Sequence, residues 1–580
     1  MTKHLFLFTI TPVQSFVMQA RKAQDFHAGS RILSGLTKSA LEEARNISKN
    51  CEVVFPNENI ESMPNRFMAI VESDNIKKFG ENLKEHVEDK FKKIMDDSLS
   101  KFLKPKNYEE QIKNHLFITW AAMPFDRNKD VYAKKYKEVE ALLGGAKNIR
   151  MFQQSDDSET GRKCSLCGER NALFVYDKGK FYTQDDAVDI KNVSPYLLNR
   201  NEGLCGICAG KRFYGPTQSF DSTADIALLH TFEKLQSLKF VLPGKYDPQA
   251  ILIPLNESDK DGYTNEDLSD SGEVANAKKI RDYIDEHNKI HKENKILMTP
   301  YYALMAFDGD SMGETLGGKN LKDGVKLIDF QKALSEKLGA FAENVKNIVE
   351  KKTEKRGRVV FAGGEDFLGF VNLNYLLSTM KDLREKFDDD VNEPLKKYLK
   401  DGEKLSFSAG VVIAHFKMPL STVIKMTREM EKLAKQRDGK DAFSVAVMKH
   451  SGEINSCTLP WNFKGSSMCD SISFLVNKMQ EEKLSNTFIK VLETEFTPII
   501  DRKGRSDVRS FEPMLMVEME RTLARAIHDE KTKIKDLTEK ITKSLKAIVD
   551  ASKEGTYINT NNFFSTLHIV DFLHRKTGEA

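Results

Sequence analysis

The chain has 580 residues, which is too long for one hydrophobic core and predicts about three to five structural units. Its 89 Lys and Arg residues nearly balance 86 Asp and Glu residues, so any surface for nucleic acid must be local. No apolar run reaches the about 18 residues needed to span a bilayer, and the N-terminus lacks a basic leader with a cleavage site. With seven cysteines, an odd number, these features predict a cytoplasmic protein that contacts no membrane and has no disulfide framework.

The N-terminal part, up to about residue 125, alternates strand-like and helix-like segments and predicts an α+β unit. The predicted elements are a strand at 4–10, a polar helix at 14–28, another helix ending at 44, a strand at 67–71, a charged helix and a strand at 116–122. Gln14 and Ser30 are among several polar side chains that could line a nucleotide pocket here. The spacing by itself favours a plain surface helix with Phe16, Ala20 and Ile32 facing inward.

Two Cys-x-x-Cys pairs follow in a polar segment at about 151–213: Cys164 with Cys167, and Cys205 with Cys208. Each pair can present two thiolates to one tetrahedral ion. Two copies in a segment without its own core favour structural zinc over a redox pair, and a closed shell of four sulfurs argues against catalysis there. The acidic stretch at 256–273 predicts a mobile loop.

A second α+β unit begins near residue 297. Its predicted elements are a strand at 301–307, a helix at 329–350, a hairpin at 358–371, a strand at 405–415, a helix at 421–436 and a strand at 442–448. Both units begin with an apolar strand that runs into a loop and a helix, so the sequence predicts a duplicated fold. Beyond about residue 455, apolar residues recur at three- and four-residue spacing, which predicts a helical bundle.

The strongest catalytic signal is an Asp-Gly-Asp sequence at a strand end, 308–310, with a Gly-Gly-Glu-Asp sequence between two apolar strands at 363–366. The two glycines predict a tight hairpin turn that places Glu365 and Asp366 beside Asp308. Such hard oxygen ligands suit Mg²⁺ or Mn²⁺ and two-metal phosphoryl transfer. Either motif alone would favour an acidic turn, but their order and their positions at strand tips favour catalysis.

Two lysines extend this pattern, one on the predicted helix at 421–436 and one in the loop that follows it. Lys435 lies near the helix end and Lys440 in the following loop, where both could hold a triphosphate as point charges. Alone, a basic helix end more often complements the helix dipole, so this assignment depends on the acidic motifs. The predicted buried stripe of the helix consists of Val423, Met426, Met430 and Leu433.

In this order, the motifs resemble the large subunit of type III CRISPR effector complexes, most closely of the III-B branch. The resemblance spans the whole chain and is carried by TPVQSF, ARKAQDFHAGSRILS, the two cysteine pairs, FDGDSMGETLGG, VVFAGGEDFLGF, LSFSAGVVIAHFKMPL and EKLAKQRDGKDAFSVAVMKHSG. It implies an α+β multidomain fold with two ferredoxin-like, nucleotide-cyclase palm domains, a zinc-binding insertion and a C-terminal helical bundle. The expected domains are a degenerate first palm at 1–150, a zinc-binding, mostly helical domain at 151–295, a catalytic palm at 296–454 and a helical domain like the complex's small subunit at 455–580.

The resemblance also implies the roles of the site residues. The implied metal ligands are Asp308, Asp310, Glu365 and Asp366, of which Asp308, Glu365 and Asp366 are catalytic. Many relatives have Asp where this chain has Glu365, but either carboxylate can bind a hard cation. The implied nucleotide contacts are Gly309, Gly363, Gly364, Lys435, Lys440, Gln14 and Ser30. The first palm has Thr9 and Thr11 where metal acids would stand, so it is expected to hold the acceptor nucleotide.

In that family the hairpin of the second palm joins ATP into cyclic oligoadenylate second messengers when the complex binds target RNA. The expected partners are therefore guide RNA, target RNA and other subunits, and the expected cofactors are Mg²⁺ or Mn²⁺ and structural Zn²⁺. Some related large subunits are thought to join AMP to S-adenosylmethionine, which stays open as an alternative acceptor. Many relatives also begin with an HD nuclease domain, and because this sequence starts at the first palm strand, that nuclease is expected to be absent.

Two other interpretations stay open at this point. A scaffold subunit could retain its palms only to bind RNA and partner proteins, although the intact acids at 308 and 365–366 argue against it. A free-standing diguanylate cyclase or polymerase could also carry the hairpin. The zinc segment, the duplicated unit and the helical tail argue against that second alternative.

Overall fold

The computed structural model of the chain describes residues 2–48, 50–102, 104–105, 107–149, 161–177, 180–182, 187–189, 201–217, 219–253, 271–351, 353–449, 452–528 and 534–578. Most of the mobile loop predicted at 256–273 lies outside these ranges. Within them, no helix has both the length and the apolar character required to cross a membrane.

The first α+β unit contains an antiparallel sheet with the strand order β2-β3-β1-β4. Its strands are β1 (Thr2–Thr11), β2 (Cys51–Phe55), β3 (Arg66–Ser73) and β4 (Phe117–Pro124). Its helices are α1 (Gln14–Met18), α2 (Ala23–Ile47), α3 (Ile76–Ser98), α4 (Tyr108–Lys113) and α5 (Tyr132–Asn148). Because side chains alternate along a strand, Phe6 and Phe8 of β1 pack in one core with α2 and α3, and Leu5 and Leu7 in another with α5.

The helices near the N-terminus differ from the prediction. The segment breaks at 19–22, between α1 and α2, and not at residue 28. Gly29 lies inside α2, where it allows the helix to pass close to α1: a Cβ at Gly29 would lie only 3.1 Å from the Cα of Val17. This glycine therefore permits close packing and does not end the helix. The predicted inward positions of Phe16, Ala20 and Ile32 are confirmed.

The segment with the cysteine pairs combines a small sheet with helices. The sheet order is β7-β6-β5-β8, with strands β5 (Phe174–Asp177), β6 (Lys180–Tyr182), β7 (Ala187–Asp189) and β8 (Gly203–Leu204). The helices are α6 (Gly206–Arg212), α7 (Thr223–Ser237), α8 (Pro248–Leu252) and α9 (Ser271–Ile290). Helix α6 packs against α2 and α3, so this segment is anchored on the first α+β unit.

The second α+β unit has a six-stranded sheet in the order β10-β11-β9-β12-β13-β14. Its strands are β9 (Tyr301–Gly309), β10 (Gly357–Ala362), β11 (Phe367–Asn372), β12 (Phe407–His415), β13 (Ala442–Met448) and β14 (Ile454–Pro460). Its helices are α10 (Met312–Leu316), α11 (Leu327–Val349), α12 (Leu376–Phe387), α13 (Glu393–Leu395) and α14 (Leu420–Gln436). Only β12 and β13 pair in parallel, and α14 forms the crossover between them. Strand β14 continues the sheet beyond residue 454, and α12 had no counterpart among the predicted elements.

The two α+β units pack against each other, and each contributes one helix that contacts the sheet of the other. Helix α2 of the first unit contacts β10 of the second, and α11 of the second contacts β2 of the first. Phe26 on α2 packs edge-on against Phe370 of β11, with the ring centres 6.2 Å apart. The seam between the units is thus lined by α2, α11 and the edge strand β10.

The C-terminal part is helical, as predicted, with two small added sheets. Its helices are α15 (Met468–Gln480), α16 (Thr487–Phe496), α17 (Val508–Ala526), α18 (Ile534–Ala551) and α19 (Thr560–Lys576). Its strands are β15 (Asn462–Phe463), β16 (Ser466–Ser467), β17 (Arg505–Asp507), β18 (Lys553–Glu554) and β19 (Tyr557–Asn559). Asn562 of α19 accepts a hydrogen bond from the backbone N–H of Thr458 at 2.6 Å and joins this part to β14.

Candidate active site and zinc centre

The structure brings the acidic strand end and the Gly-Gly-Glu-Asp turn together. Strand β9 pairs with β11, with Phe307 opposite Phe367, so the hairpin turn between β10 and β11 lies beside the end of β9. A Cβ at Gly309 would lie 3.0 Å from the Cβ of Glu365. The absence of a side chain at Gly309 therefore allows this close approach.

The two glycines of the turn have separate roles. Gly364 has a φ of +99°, which residues with a side chain rarely adopt. Gly363 lies against the ring of Phe361, where a Cβ would come within 2.2 Å of a ring carbon, and its N–H donates to the carbonyl of Asp366 at 3.0 Å. Glycine at both positions is therefore required for a turn of this shape.

The two acids of the turn affect each other's ionisation. Glu365 is half-buried and Asp366 exposed. Desolvation by the surrounding protein raises the pKa of Glu365, and the negative charge of Asp366 raises it further. Although the side chain of Asp366 reaches solvent, the protein atoms packed around the turn raise its pKa through desolvation. The positive charge of Arg428 on α14 opposes that shift. A divalent cation between these carboxylates would favour their ionised forms.

The three carboxylates do not form a closed ligand shell. Among the described residues, the one group of three or more possible metal ligands whose atoms lie within 4.8 Å of one another is the cysteine cluster. The carboxylate of Asp308 instead forms an ion pair with the ammonium of Lys435. Asp308, Glu365 and Asp366 nevertheless supply the hard oxygen donors that Mg²⁺ or Mn²⁺ prefers, from adjacent strand ends.

Helix α14 places its basic residues over this strand end because it packs very closely on β12. A Cβ at Gly410 would lie 2.2 Å from the carbonyl oxygen of Thr427. Burial lowers the pKa of Lys435 to about 8, and the charge of Lys440 acts in the same direction, which still leaves the amine mostly protonated at neutral pH. Lys440 donates to the hydroxyl of Ser311 at 2.7 Å, next to the acidic strand end.

Asp310 differs from the other predicted ligands because it is directed into the protein. Its side chain is 8% exposed. One oxygen accepts from the hydroxyl of Ser406 at 2.7 Å and from the backbone N–H of Asp441 at 3.1 Å. The other oxygen accepts from the hydroxyl of Ser408 at 2.8 Å. Both oxygens are thus engaged by protein groups.

The residues of the first unit that are predicted to contact the acceptor nucleotide differ in their exposure to solvent. Gln14 is exposed on α1, whereas Ser30 is buried in α2 and its hydroxyl has no hydrogen-bond partner. Thr9 is fully buried, and Thr11 donates to the carbonyl of Phe117 at 3.1 Å. Neither threonine carries a carboxylate, and the degenerate character of the first unit stays a prediction.

A cavity of about 440 Å³ lies in the seam between α2, α11 and β10. Charged and polar side chains line it, among them His27, Arg31, Glu61, Lys346 and Arg358. Gln14 and Ser30 are not among its lining residues, although Ser30 neighbours Arg31 on α2. The sequence contains one signal for this cavity, because His27 and Arg31 belong to the polar N-terminal segment ARKAQDFHAGSRILS.

The four cysteines of the two pairs converge as predicted. The sulfurs of Cys164, Cys167, Cys205 and Cys208 all lie within 4.8 Å of one another. The Cys167 and Cys205 sulfurs are 3.9 Å apart, close to the about 3.8 Å edge of a tetrahedron with zinc–sulfur bonds of about 2.3 Å. Cys205 also caps helix α6, where its sulfur accepts from the backbone N–H of Cys208. The geometry and donor set fit structural zinc.

We expect the purified chain to contain about one zinc ion, which Cys164→Ser should remove because three thiolates hold a structural ion much more weakly. Metal analysis after gel filtration measures this directly. Cys51→Ser is the matched control, since Cys51 is a free cysteine outside the cluster. A wild-type chain that is folded and free of metal would contradict the assignment.

The fold and the site together define a multidomain α+β protein with two related sheet units, an acidic strand end in the second unit and a four-cysteine cluster that fits zinc. Residues 301–444 match the family model described as Cas10/Cmr2, second palm domain, and residues 5–62 match CRISPR-associated protein Cmr2, N-terminal. Both matches confirm the predicted resemblance to the type III-B Cas10/Cmr2 large subunits.

A curated relative and two solved structures agree with these matches. The CRISPR system Cmr subunit Cmr2 of Pyrococcus furiosus is 24% identical, and the match covers 78% of this chain and 62% of the relative. The type III-B Cmr-beta structure in the apo state has a TM-score of 0.67 at 14% identity, and covers 99% of this chain and 82% of its own. The same complex bound to cognate target RNA has a TM-score of 0.65 at 14% identity, with 99% and 83% covered. At that identity the two structures show a shared fold.

Proposed function

We propose that this chain is the nucleotidyltransferase subunit of a type III-B CRISPR effector complex and makes an adenylate second messenger from ATP when target RNA binds. The observation that carries the proposal is the juxtaposition of Asp308 with the turn that bears Glu365 and Asp366, beneath the lysines of α14. Guide RNA, target RNA and other complex subunits are the proposed partners. The similarity to a Cmr-beta chain solved with cognate target RNA supports them.

In this proposal Asp308, Glu365 and Asp366 hold Mg²⁺ or Mn²⁺, which when bound acidifies a ribose 3′-hydroxyl and neutralises charge on the leaving group. The 3′-oxygen forms a bond to the α-phosphorus of ATP, and the bond to pyrophosphate breaks. Lys435 and Lys440 neutralise the triphosphate. For Lys435 this means exchanging the Asp308 carboxylate for phosphate oxygens, which the arrival of a divalent cation at Asp308 would favour. Gly309, Gly363 and Gly364 stay proposed backbone contacts to the nucleotide.

The acceptor nucleotide is assigned to the seam between the two palms. The cavity there has a volume within the about 300–1,000 Å³ typical of small-molecule sites. Its edge strand β10 runs directly into the turn that carries Glu365. Gln14 and Ser30 stay proposed contacts from the first palm, with the unpaired hydroxyl of Ser30 as the one supporting observation.

The product is proposed to be cyclic oligoadenylate, with an adduct of AMP and S-adenosylmethionine as the alternative. A catalytically silent scaffold is the second candidate function. One observation favours it: the carboxylates are not drawn together as the cysteines are, and Lys435 already neutralises Asp308. A substrate-free enzyme would also look like this, because repulsion separates carboxylates until a cation joins them.

The deciding experiment is to incubate the reconstituted complex with guide RNA, target RNA, labelled ATP and Mg²⁺, with and without S-adenosylmethionine, and to separate the products. We expect rings of adenylate that form only with target RNA. A product that requires S-adenosylmethionine would establish the alternative acceptor. Unconsumed ATP under both conditions would contradict the transferase and support the scaffold.

A further inference from the structure

Two loops beside Asp308 have left-handed backbone conformations at residues other than glycine. Ser311 has a φ of +55°, Lys440 of +51° and Asp441 of +47°. Such residues are uncommon and persist only where surrounding contacts hold them in place. Lys440 joins the two loops, because its ammonium donates to the hydroxyl of Ser311 at 2.7 Å. The contacts of the loop that contains Lys440 and Asp441 must therefore stabilise its left-handed conformation.

Asp441 holds the loop in this conformation, because every polar group of the residue is hydrogen-bonded. Its N–H donates to the carboxylate of Asp310 at 3.1 Å, and its carbonyl accepts from the N–H of Trp461 at 3.0 Å. Its carboxylate accepts two hydrogen bonds from the guanidinium of Arg384, at 3.1 and 3.2 Å, and one from Lys404 at 3.2 Å. Backbone and side chain are thus fixed from three directions.

Arg384 is itself held rigidly. Its side chain is 3% exposed, forms an ion pair with Asp388 at 2.6 Å and lies over the ring of Phe407. A planar guanidinium that is packed and paired on two sides can present its fork in one direction only. Arg384 belongs to α12, an element that contributes none of the acidic residues of the strand end.

We propose that Asp310 and Arg384 are positioning residues: they hold Asp441, and through it Lys440, in the one loop conformation that places a cation beside Asp308. This inference rests on the proposed function and refines it, because it removes Asp310 from the metal ligands. The side chain of Asp310 is 8% exposed, and three hydrogen bonds from Ser406, Ser408 and Asp441 hold its carboxylate toward the protein interior.

Asn and Ala at position 310 distinguish the two roles. In Asp310→Asn the amide oxygen can keep the bonds from Ser406 and Asp441, while the amide nitrogen donates to the hydroxyl of Ser408. Asp310→Ala loses all three bonds. A positioning residue is therefore rescued by Asn, whereas a metal ligand loses its charge in both variants. Asp308→Asn serves as the comparison for a true ligand.

The first measurement is amide hydrogen exchange at residues 440–441 in the purified chain, without ATP. We expect faster exchange in Asp310→Ala, wild-type protection in Asp310→Asn and faster exchange in Arg384→Gln, which acts from outside the acidic cluster. Unchanged exchange in both Asp310→Ala and Arg384→Gln would overturn the proposal. Arg384→Gln also decides the question if Asp310→Ala does not fold.

The second measurement is ATP turnover in the complex at a series of Mg²⁺ concentrations. Asp310→Ala should raise the KM for ATP about tenfold at an unchanged Mg²⁺ requirement, and Asp310→Asn should remain close to wild type. If both variants require more Mg²⁺, as Asp308→Asn should, Asp310 is a ligand and the proposal is wrong. If the wild type consumes no ATP, the proposed function fails, and the exchange pattern still decides the positioning role.

Discussion

Glu365→Ala combined with Asp366→Ala should reduce ATP turnover by at least about a thousandfold, because the double variant removes two of the three proposed metal ligands. The fold should survive. Asp366 is exposed, and the hydrogen bond that closes the turn joins the N–H of Gly363 to a backbone carbonyl, which both substitutions retain. Turnover of labelled ATP by the assembled complex, with a thermal melt of each variant, measures both expectations.

A matched control removes two acids from the same unit at a distance from the turn. Glu393→Ala with Asp401→Ala suits this purpose, because both side chains are exposed and each forms only a loose surface ion pair. This control should turn over ATP like the wild type. If the Glu365 and Asp366 variant keeps full turnover, the metal role is wrong, and if it loses its fold, the acids are structural.

Arg212→Met should cause the largest loss of stability, about 3–5 kcal/mol in the unfolding of the first palm and its zinc segment. The Arg212 guanidinium is completely buried between Asp25, at 2.5 and 2.8 Å, and Glu202, at 3.0 Å. These contacts hold helix α6 against helix α2. Cys205 caps helix α6, and Cys208 lies within it. Without the guanidinium, two buried carboxylates lose the cation that bonds them both.

The pH dependence of this variant has a definite sign. Burial by itself raises the pKa of Asp25, but the charge and hydrogen bonds of Arg212, with smaller effects of the Lys211 charge and the Lys22 N–H, together hold the pKa below its usual value. Arg212→Met removes the largest of these opposing effects and leaves only the Lys211 charge and the Lys22 N–H against burial, so we expect the folded-state pKa of Asp25 to rise above the unfolded value. The variant is then penalised above the unfolded pKa and recovers as protonation neutralises Asp25. Destabilisation should be larger at about pH 7.5 than at about pH 5.5.

Urea unfolding followed at both pH values measures this effect. Arg21→Met is the matched control, because Arg21 is exposed at the start of the same segment, and we expect its midpoint to stay at the wild-type value. Arg212→Lys should fall between the two, since it keeps the charge and loses the fork that bonds both carboxylates. Wild-type stability in Arg212→Met at both pH values would contradict the buried-cation argument.

The elements that the sequence predicted well are those with local signals. Strand β9, the hairpin of β10 and β11, and helix α14 were predicted because an apolar run, a Gly-Gly turn and a helical period are each visible within a few residues. The stripe of α14 was predicted only in part. Val423 and Met430 are buried, but Leu433 is 43% exposed, because the crossover onto β12 and β13 rotates the helix so that Ala434 faces inward.

The sequence by itself determined the candidate residues for chemistry: the Cys-x-x-Cys pairs, Asp308 and the turn with Glu365 and Asp366, because turn chemistry and ligand spacing are local properties. The tertiary structure alone decided which distant residues support these candidates and through which contacts. It turned Asp310 inward and joined Arg212 to Asp25 across 187 positions in sequence. It also brought Arg384 from an unpredicted helix to Asp441. Hydrogen bonds and ion pairs between distant segments leave no periodicity in a single sequence, so only the packed fold shows them.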